Sequence, residues 1–264
     1  MDTVAILVDG GFFTRRAKSL WGDRLPKEMA EILHRYCTML LVHSENGKQV
    51  RDRLYRIFYY DCPPMERNVY HPLLKKDKSM KKEPLYAWMT EFQDELRSKR
   101  KVALRMGRLS DNGLGYTLSI DIIKKLCAGT LKFEDLTESD FHLTVQQKGV
   151  DMRIGIDIAS MAYKKQVTKI ILIAGDSDFV PAAKLARREG IDFVLNPLGS
   201  NINGDLREHI DGLINRGIDL DKALNPVSEN KISRKQKKRR QHRQKSNRRS
   251  VRDDPPNGES TSGC

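Results

Sequence analysis

The four cysteines of this 264-residue chain, Cys37, Cys62, Cys127 and Cys264, include no Cys-x-x-Cys pair. That pattern excludes a disulfide framework and a zinc-ribbon site, and it points to reduced thiols in a cytoplasmic protein. The six histidines have no paired metal-ligand spacing either. Long apolar runs are missing: the longest, such as Val4–Val8, are strand-sized, against the roughly 20 residues that cross a bilayer. No membrane partner is expected. The chain begins Met1-Asp2-Thr3 and enters a strand pattern at once, which leaves no room for a signal peptide. No internal repeat is visible. Acidic charge is in deficit, with 48 Lys and Arg against 35 Asp and Glu, a net charge of +13. The excess is uneven. From Pro226 onward there are 12 basic and 4 acidic residues, a net +8, so a basic tail follows a mildly basic body. A polyanion partner is the simplest reading, and nucleic acid the simplest polyanion.

What is present is an alternation of short apolar runs and amphipathic stretches. Strand patterns fall at Val4–Val8, Tyr55–Tyr60, Lys101–Met106, Lys169–Ala174 and Asp192–Leu195. Met29, Ile32, Leu33, Tyr36 and Leu40 make one helical stripe after Pro26; Leu85, Trp88, Met89, Phe92 and Leu96 make another after Pro84. Further helices are expected over Val150–Tyr163 and after Pro181. The pattern predicts an α/β domain over residues 1–224, with a mostly parallel sheet and helices on both faces. Residues 109–140 read as an insertion, in which Ser119–Cys127 suits a short helix. Residues 225–264 form a basic tail too poor in apolar residues to fold alone.

Several carboxylates sit where strand patterns end. Asp9 closes the first, and Asp176 and Asp178 follow Ile170–Ala174 in the phrase Gly175-Asp176-Ser177-Asp178-Phe179. Asp151 opens the helix after Lys148-Gly149-Val150. In open α/β sheets this carboxyl edge is where ligands bind. Acids crowded there are costly unless a cation lies between them, and hard oxygen donors suit Mg²⁺ or Mn²⁺. Each acid alone also suits a turn or helix cap, Asp178 and Asp151 especially. Asp157, six residues beyond Asp151, is rotated off that helix face and points at a second metal, a basic residue or solvent. Gly-x-Gly-x-x-Gly is absent after the first strand, where Asp9-Gly10-Gly11-Phe12 stands, so a nicotinamide site is not supplied. A haloacid-dehalogenase phosphatase needs an acid two residues after Asp9, and residue 11 is glycine.

Val-Asp-Gly-Gly-Phe-Phe, Lys-Gly-Val-Asp-Met-Arg-Ile-Gly-Ile-Asp-Ile-Ala and Ile-Ala-Gly-Asp-Ser-Asp-Phe-Val-Pro together resemble the NYN family of PIN-like ribonuclease domains, closest to its bacterial LabA-like branch. The resemblance runs from Val4 to about Leu213 and includes the strand end Tyr59-Tyr60-Asp61. It implies a Rossmann-like, PIN-like three-layer fold and a Mg²⁺- or Mn²⁺-dependent endoribonuclease. Asp9, Asp151, Asp176 and Asp178 match the family's acidic positions, and Asp157 matches a second acid after Lys-Gly-Val-Asp. Where many relatives carry Asn soon after the first Asp, this chain has Gly10-Gly11-Phe12. The reading is therefore an RNA-cutting hydrolase, with a non-catalytic RNA-binding adaptor on the same fold as the alternative, either of them compatible with a homo-oligomer.

Basic residues supply candidate RNA contacts. Lys75, Lys76, Lys81 and Lys82 lie in a lysine-rich loop before a helix, and Lys148 stands beside Asp151. Arg207 and Asn203 lie in a polar loop beyond the fifth strand, where Asp205 also suits a helix cap. In the tail, Arg234, Lys235, Lys237, Lys238, Arg239 and Arg240 bind polyanions by counterion release, without sequence preference.

Overall fold

The computed structural model describes residues 1–202 and 204–215. The boundary expected near Leu224 and the basic tail lie outside those residues, as does Asn203.

Six strands make the central sheet: β1 (Thr3–Asp9), β2 (Arg53–Asp61), β3 (Val102–Met106), β4 (Lys169–Ile173), β5 (Asp192–Asn196) and β6 (Gly212–Leu213). Their order is β6-β5-β4-β1-β2-β3, and every neighbouring pair is parallel. Strand order therefore reverses between β1 and β4, where doubly wound sheets open a crevice at their carboxyl edge.

Both sheet faces are covered, which is why the strands read as continuous apolar runs. Along β1, Val4, Ile6 and Val8 pack beneath α1 (Gly10–Trp21), α2 (Pro26–Leu40) and α3 (Pro84–Ser98). Ala5 and Leu7 point to the opposite face. The insertion contains α4 (Ile120–Cys127), for which Ser119 Oγ accepts from Ile122 N–H as N-cap. The opposite face of the sheet is covered by α5 (Val150–Tyr163) and α6 (Val180–Arg188). Each fully buried Val, Ile or Leu contributes roughly 1.5–3 kcal/mol of transfer free energy, and these strands supply most of them. The three-layer α/β fold expected from the sequence is the one that forms.

The stripe on α2 is buried throughout. That on α3 is only partly so: Phe92 and Leu96 are core, whereas Leu85 is 66% exposed at the first turn. The lysine-rich stretch is not a loop. Lys76–Ser79 pairs antiparallel with Asn68–His71, and Met80–Lys82 is a 3₁₀ turn leading into α3. His71 packs at a tilt against Tyr116 and Phe141, at centroid distances of 4.3 and 5.2 Å. It thereby ties this hairpin to the insertion, whose strands Gly115–Leu118 and Phe141–Thr144 pair with each other. Among the described residues no helix is long and apolar enough to cross a membrane.

Candidate metal and phosphodiester site

At the carboxyl edge the chain turns from β1 into α1 within one residue. Asp9 is the N-cap, its Oδ1 accepting from Phe12 N–H at 3.1 Å. Gly10 permits this tight turn: a Cβ there would lie 2.6 Å from the Tyr59 ring and 2.7 Å from the Tyr60 carbonyl. Phe12 then lies over the exit of β4, where only glycine fits; a Cβ on Gly175 would stand 2.5 Å from the Phe12 ring. Because Val8 and Ile173 are register partners, Asp9 and the Gly175-Asp176 turn leave the sheet side by side.

Capping roles differ from the local expectation. Asp176, not Asp178, is the cap: its Oδ1 accepts from Asp178 N–H at 3.1 Å. An Asx-type turn fixes Asp176 and leaves the Asp178 carboxylate exposed. Asp151 is not an N-cap either. Gly149, in the left-handed region at φ 79°, begins α5, and Asp151 lies in the helix's first turn.

The acids couple in a row. Asp9 is pushed up to about 6, chiefly by burial and further by the negative charges of Asp151 and Asp61; its hydrogen bond from Phe12 and the charge of Arg15 partly offset this. Asp151 is raised as well, by burial and then by Asp176 and Asp178. Asp61, which the sequence reading noted only as a strand end, forms the floor. It is 3% exposed and raised by burial, against hydrogen bonds from Cys62 N–H (2.7 Å), Tyr59 Oη (3.1 Å) and Gln147 Nε2 (3.2 Å). The strand-end rule that picks out Asp9 applies equally to Asp61, because β1 and β2 are adjacent. Gln147 has no such signal; it arrives by tertiary pairing, and its carboxamide lies 3.5 Å from where a Gly11 Cβ would stand. An amide thus faces the position at which the family resemblance would place an Asn.

Asp157 is held apart from this row. It accepts from Tyr60 Oη at 2.8 Å and pairs with Arg105 Nε at 3.0 Å, so of the three targets open to it the structure gives it the basic residue. Lys148 is exposed on the two-residue strand Gln147–Lys148, which pairs antiparallel with Arg108–Leu109, while Arg207 is exposed on α7 (Gly204–Glu208). Lys75, Lys76, Lys81 and Lys82 are exposed on the hairpin and 3₁₀ turn; Lys81 lies 6.0 Å over the Tyr86 ring. A surface cleft of about 650 Å³ along α3 is lined by none of the acids in the row.

The donors are all carboxylate oxygens, the chemistry that hard divalent cations take. Among the described residues no three His, Cys, Asp or Glu side chains are gathered into a metal-holding group. Mg²⁺ does not require one: it keeps several waters and is commonly bound by one or two carboxylates together with substrate phosphate. The mutual repulsion within the row is the second sign of fit, since a cation placed there relieves it.

No curated protein and no solved structure matches the chain. A family model does: the NYN domain model matches residues 67–221, more than half of the chain. Asp151, Asp157, Asp176 and Asp178 fall inside the match, whereas Asp9 and Asp61 precede it. By that match the chain belongs to the NYN domain family, part of the PIN-like superfamily of nucleases.

Proposed function

We propose that this protein is a Mg²⁺- or Mn²⁺-dependent endoribonuclease whose cleft is the row Asp9, Asp151, Asp176 and Asp178, with Asp61 beneath it. The observation that carries the reading is the row itself. Acids from four chain segments lie at the sheet's carboxyl edge, where the charges of Asp151 and Asp61 help raise Asp9 and those of Asp176 and Asp178 help raise Asp151, in a protein of net charge +13. Bound there, a divalent cation would supply Lewis-acid stabilisation of the phosphodiester and an activated water. The chain's own residues have separate tasks. Asp9, Asp151, Asp176 and Asp178 would hold the cation. Tyr59 and Gln147 fix Asp61 by hydrogen bonds. Asp157 is a structural partner of Tyr60 and Arg105 and no part of the metal set. The free thiols of buried Cys37 and Cys62 suit a reducing compartment such as the cytoplasm.

Purified full-length protein is expected to cut RNA with Mn²⁺ or Mg²⁺ and to stop with EDTA, and Asp176→Asn should slow cleavage at least ~10-fold. If Asp176→Asn cuts as fast as the parent, the activity belongs to something else. A second reading, an adaptor that binds RNA without cutting it, draws on the absence of a ready three-ligand group among the described residues. Tight binding with no cleavage in any metal would establish it.

The tail assists by charge. Truncation after Leu224 is expected to weaken RNA binding and flatten its dependence on salt. Equal affinity and equal salt slope with and without the tail would remove that role.

A further inference from the structure

Beside the acid row the chain builds a two-stranded ribbon, Arg108–Leu109 against Gln147–Lys148, with Arg108 and Lys148 as direct cross-strand partners. Like charges placed opposite each other destabilise such a pair, and both side chains are exposed. Among the described residues neither has an acidic partner to relieve the repulsion. The ribbon is firmly anchored: a Cβ on Gly107 would stand 2.8 Å from the Lys148 carbonyl and 3.2 Å from Cys62 Sγ. A third exposed cation, Arg153 on the first turns of α5, is close enough to Cys62 to lower its thiol pKa, although burial raises that thiol overall. Gln147, next to Lys148, binds Asp61. These cations are therefore fixed within a few residues of the acids. From the ribbon a cleft of about 330 Å³ runs along Pro63, Pro64, Met65 and Arg67, closed on its far side by Leu114. Its lining is mixed: Pro63, Pro64 and Met65 offer apolar surface beside Glu66, Arg67 and Arg108, and Arg67 is paired to Asp111.

We propose that Arg108 and Lys148 are a phosphate clamp for single-stranded RNA, and that the Pro63–Arg67 cleft receives the nucleotide next to the bond being cut. A planar guanidinium beside a mobile ammonium suits a phosphodiester, and the apolar Pro63-Pro64-Met65 stretch of the cleft suits a base face without selecting its edge. The occupant is a nucleotide within a strand, because the cations on the ribbon continue toward the acid row. The proposal rests on the nuclease reading only for the word "cut"; the clamp itself is tested by binding.

The experiment measures binding of a fluorescent 12-nucleotide RNA to the full chain in EDTA, across a salt series, for the parent, Arg108→Gln/Lys148→Gln and Arg100→Gln/Lys164→Gln. The second pair removes equal charge from exposed positions at the opposite edge of the sheet, beyond α3 and at the end of α5. The clamp pair is expected to lose ~10-fold in affinity, and its log–log salt slope should shrink by about 1.4, as two single-strand phosphate contacts require. The control pair should change neither. Equal losses in both pairs, or none in the clamp pair, overturn the clamp. Cleavage in Mn²⁺ separates this from the broader reading. A parent that binds through the clamp but never cuts refutes the nuclease and leaves the clamp standing. A parent that cuts with Arg108→Gln/Lys148→Gln unchanged in KM refutes the clamp alone.

Discussion

Asp9→Asn is expected to lower metal-dependent RNA cleavage by about 10²–10³-fold, the usual cost of losing one preorganised electrostatic group in an active site. The same change should make the protein more stable at neutral and alkaline pH. Folding raises the Asp9 carboxyl from 3.8 to about 6. Between those values the folded chain keeps a proton that the unfolded chain releases, so the stability tied to this group is fully present below about 3.8. It is lost as pH rises through about 6. Above that window the fold carries the full cost of an ionised, half-buried acid, at most about 3 kcal/mol. Asparagine removes the charge and retains the oxygen that accepts from Phe12 N–H. Thermal unfolding should therefore show Asp9→Asn melting above the parent at pH 8, with the gap closed by pH 4. Added Mn²⁺ should raise the parent's Tm more than the variant's. A variant that melts lower at pH 8, or cuts RNA normally, would show that Asp9 is simply a helix cap. Opposite signs for activity and stability are what a functional acid produces and a structural one does not.

Gly10→Ala is expected to cost about 3 kcal/mol or more, enough to abolish soluble folded protein at 37 °C. The new methyl meets Tyr59 and the Tyr60 carbonyl, and neither has room to move. Tyr59 is fully buried, bonded to Asp61 and packed edge-on to Phe92 at 5.7 Å. The adjacent Gly11→Ala is the control: its methyl would meet Gln147 Oε1 at 3.5 Å and Asp9 Oδ1 at 3.6 Å, ordinary contacts. Circular dichroism melts should show a folded Gly11→Ala and a collapsed Gly10→Ala. Equal stability of the two variants would mean that β1 and α1 join with more slack than this geometry allows.

The parallel sheet was legible because its strands are buried on both faces and stand out as Ile, Leu and Val runs. The acids at the ends of β1 and β4 were legible for the same reason, since a strand's last residue is fixed by where the apolar run stops. Asp61 obeyed that rule but hid among tyrosines, and only the burial of Tyr59 and Tyr60 shows that the strand continues to it. Asp157 could not be assigned from helix periodicity alone, because its partners Tyr60 and Arg105 come from β2 and β3. The α1 helix escaped notice since Gly10-Gly11 reads as a turn, whereas packing on Tyr59 requires the glycine and the Asp9 cap starts the helix. The short ribbon of Arg108–Leu109 and Gln147–Lys148 has two residues per strand and no hydrophobic pattern, so pairing across nearly 40 residues left no local trace.

The nuclease reading depends on a divalent cation lying in the acid row. The direct test is anomalous diffraction from crystals of the full chain soaked in millimolar Mn²⁺ at pH 8, where Asp9 is ionised. A manganese peak is expected at the carboxyl edge, bound by Asp9 together with a second acid of the row, and absent from Asp9→Asn crystals. A well-ordered acid row with no manganese peak, or a peak that persists in Asp9→Asn, would contradict it.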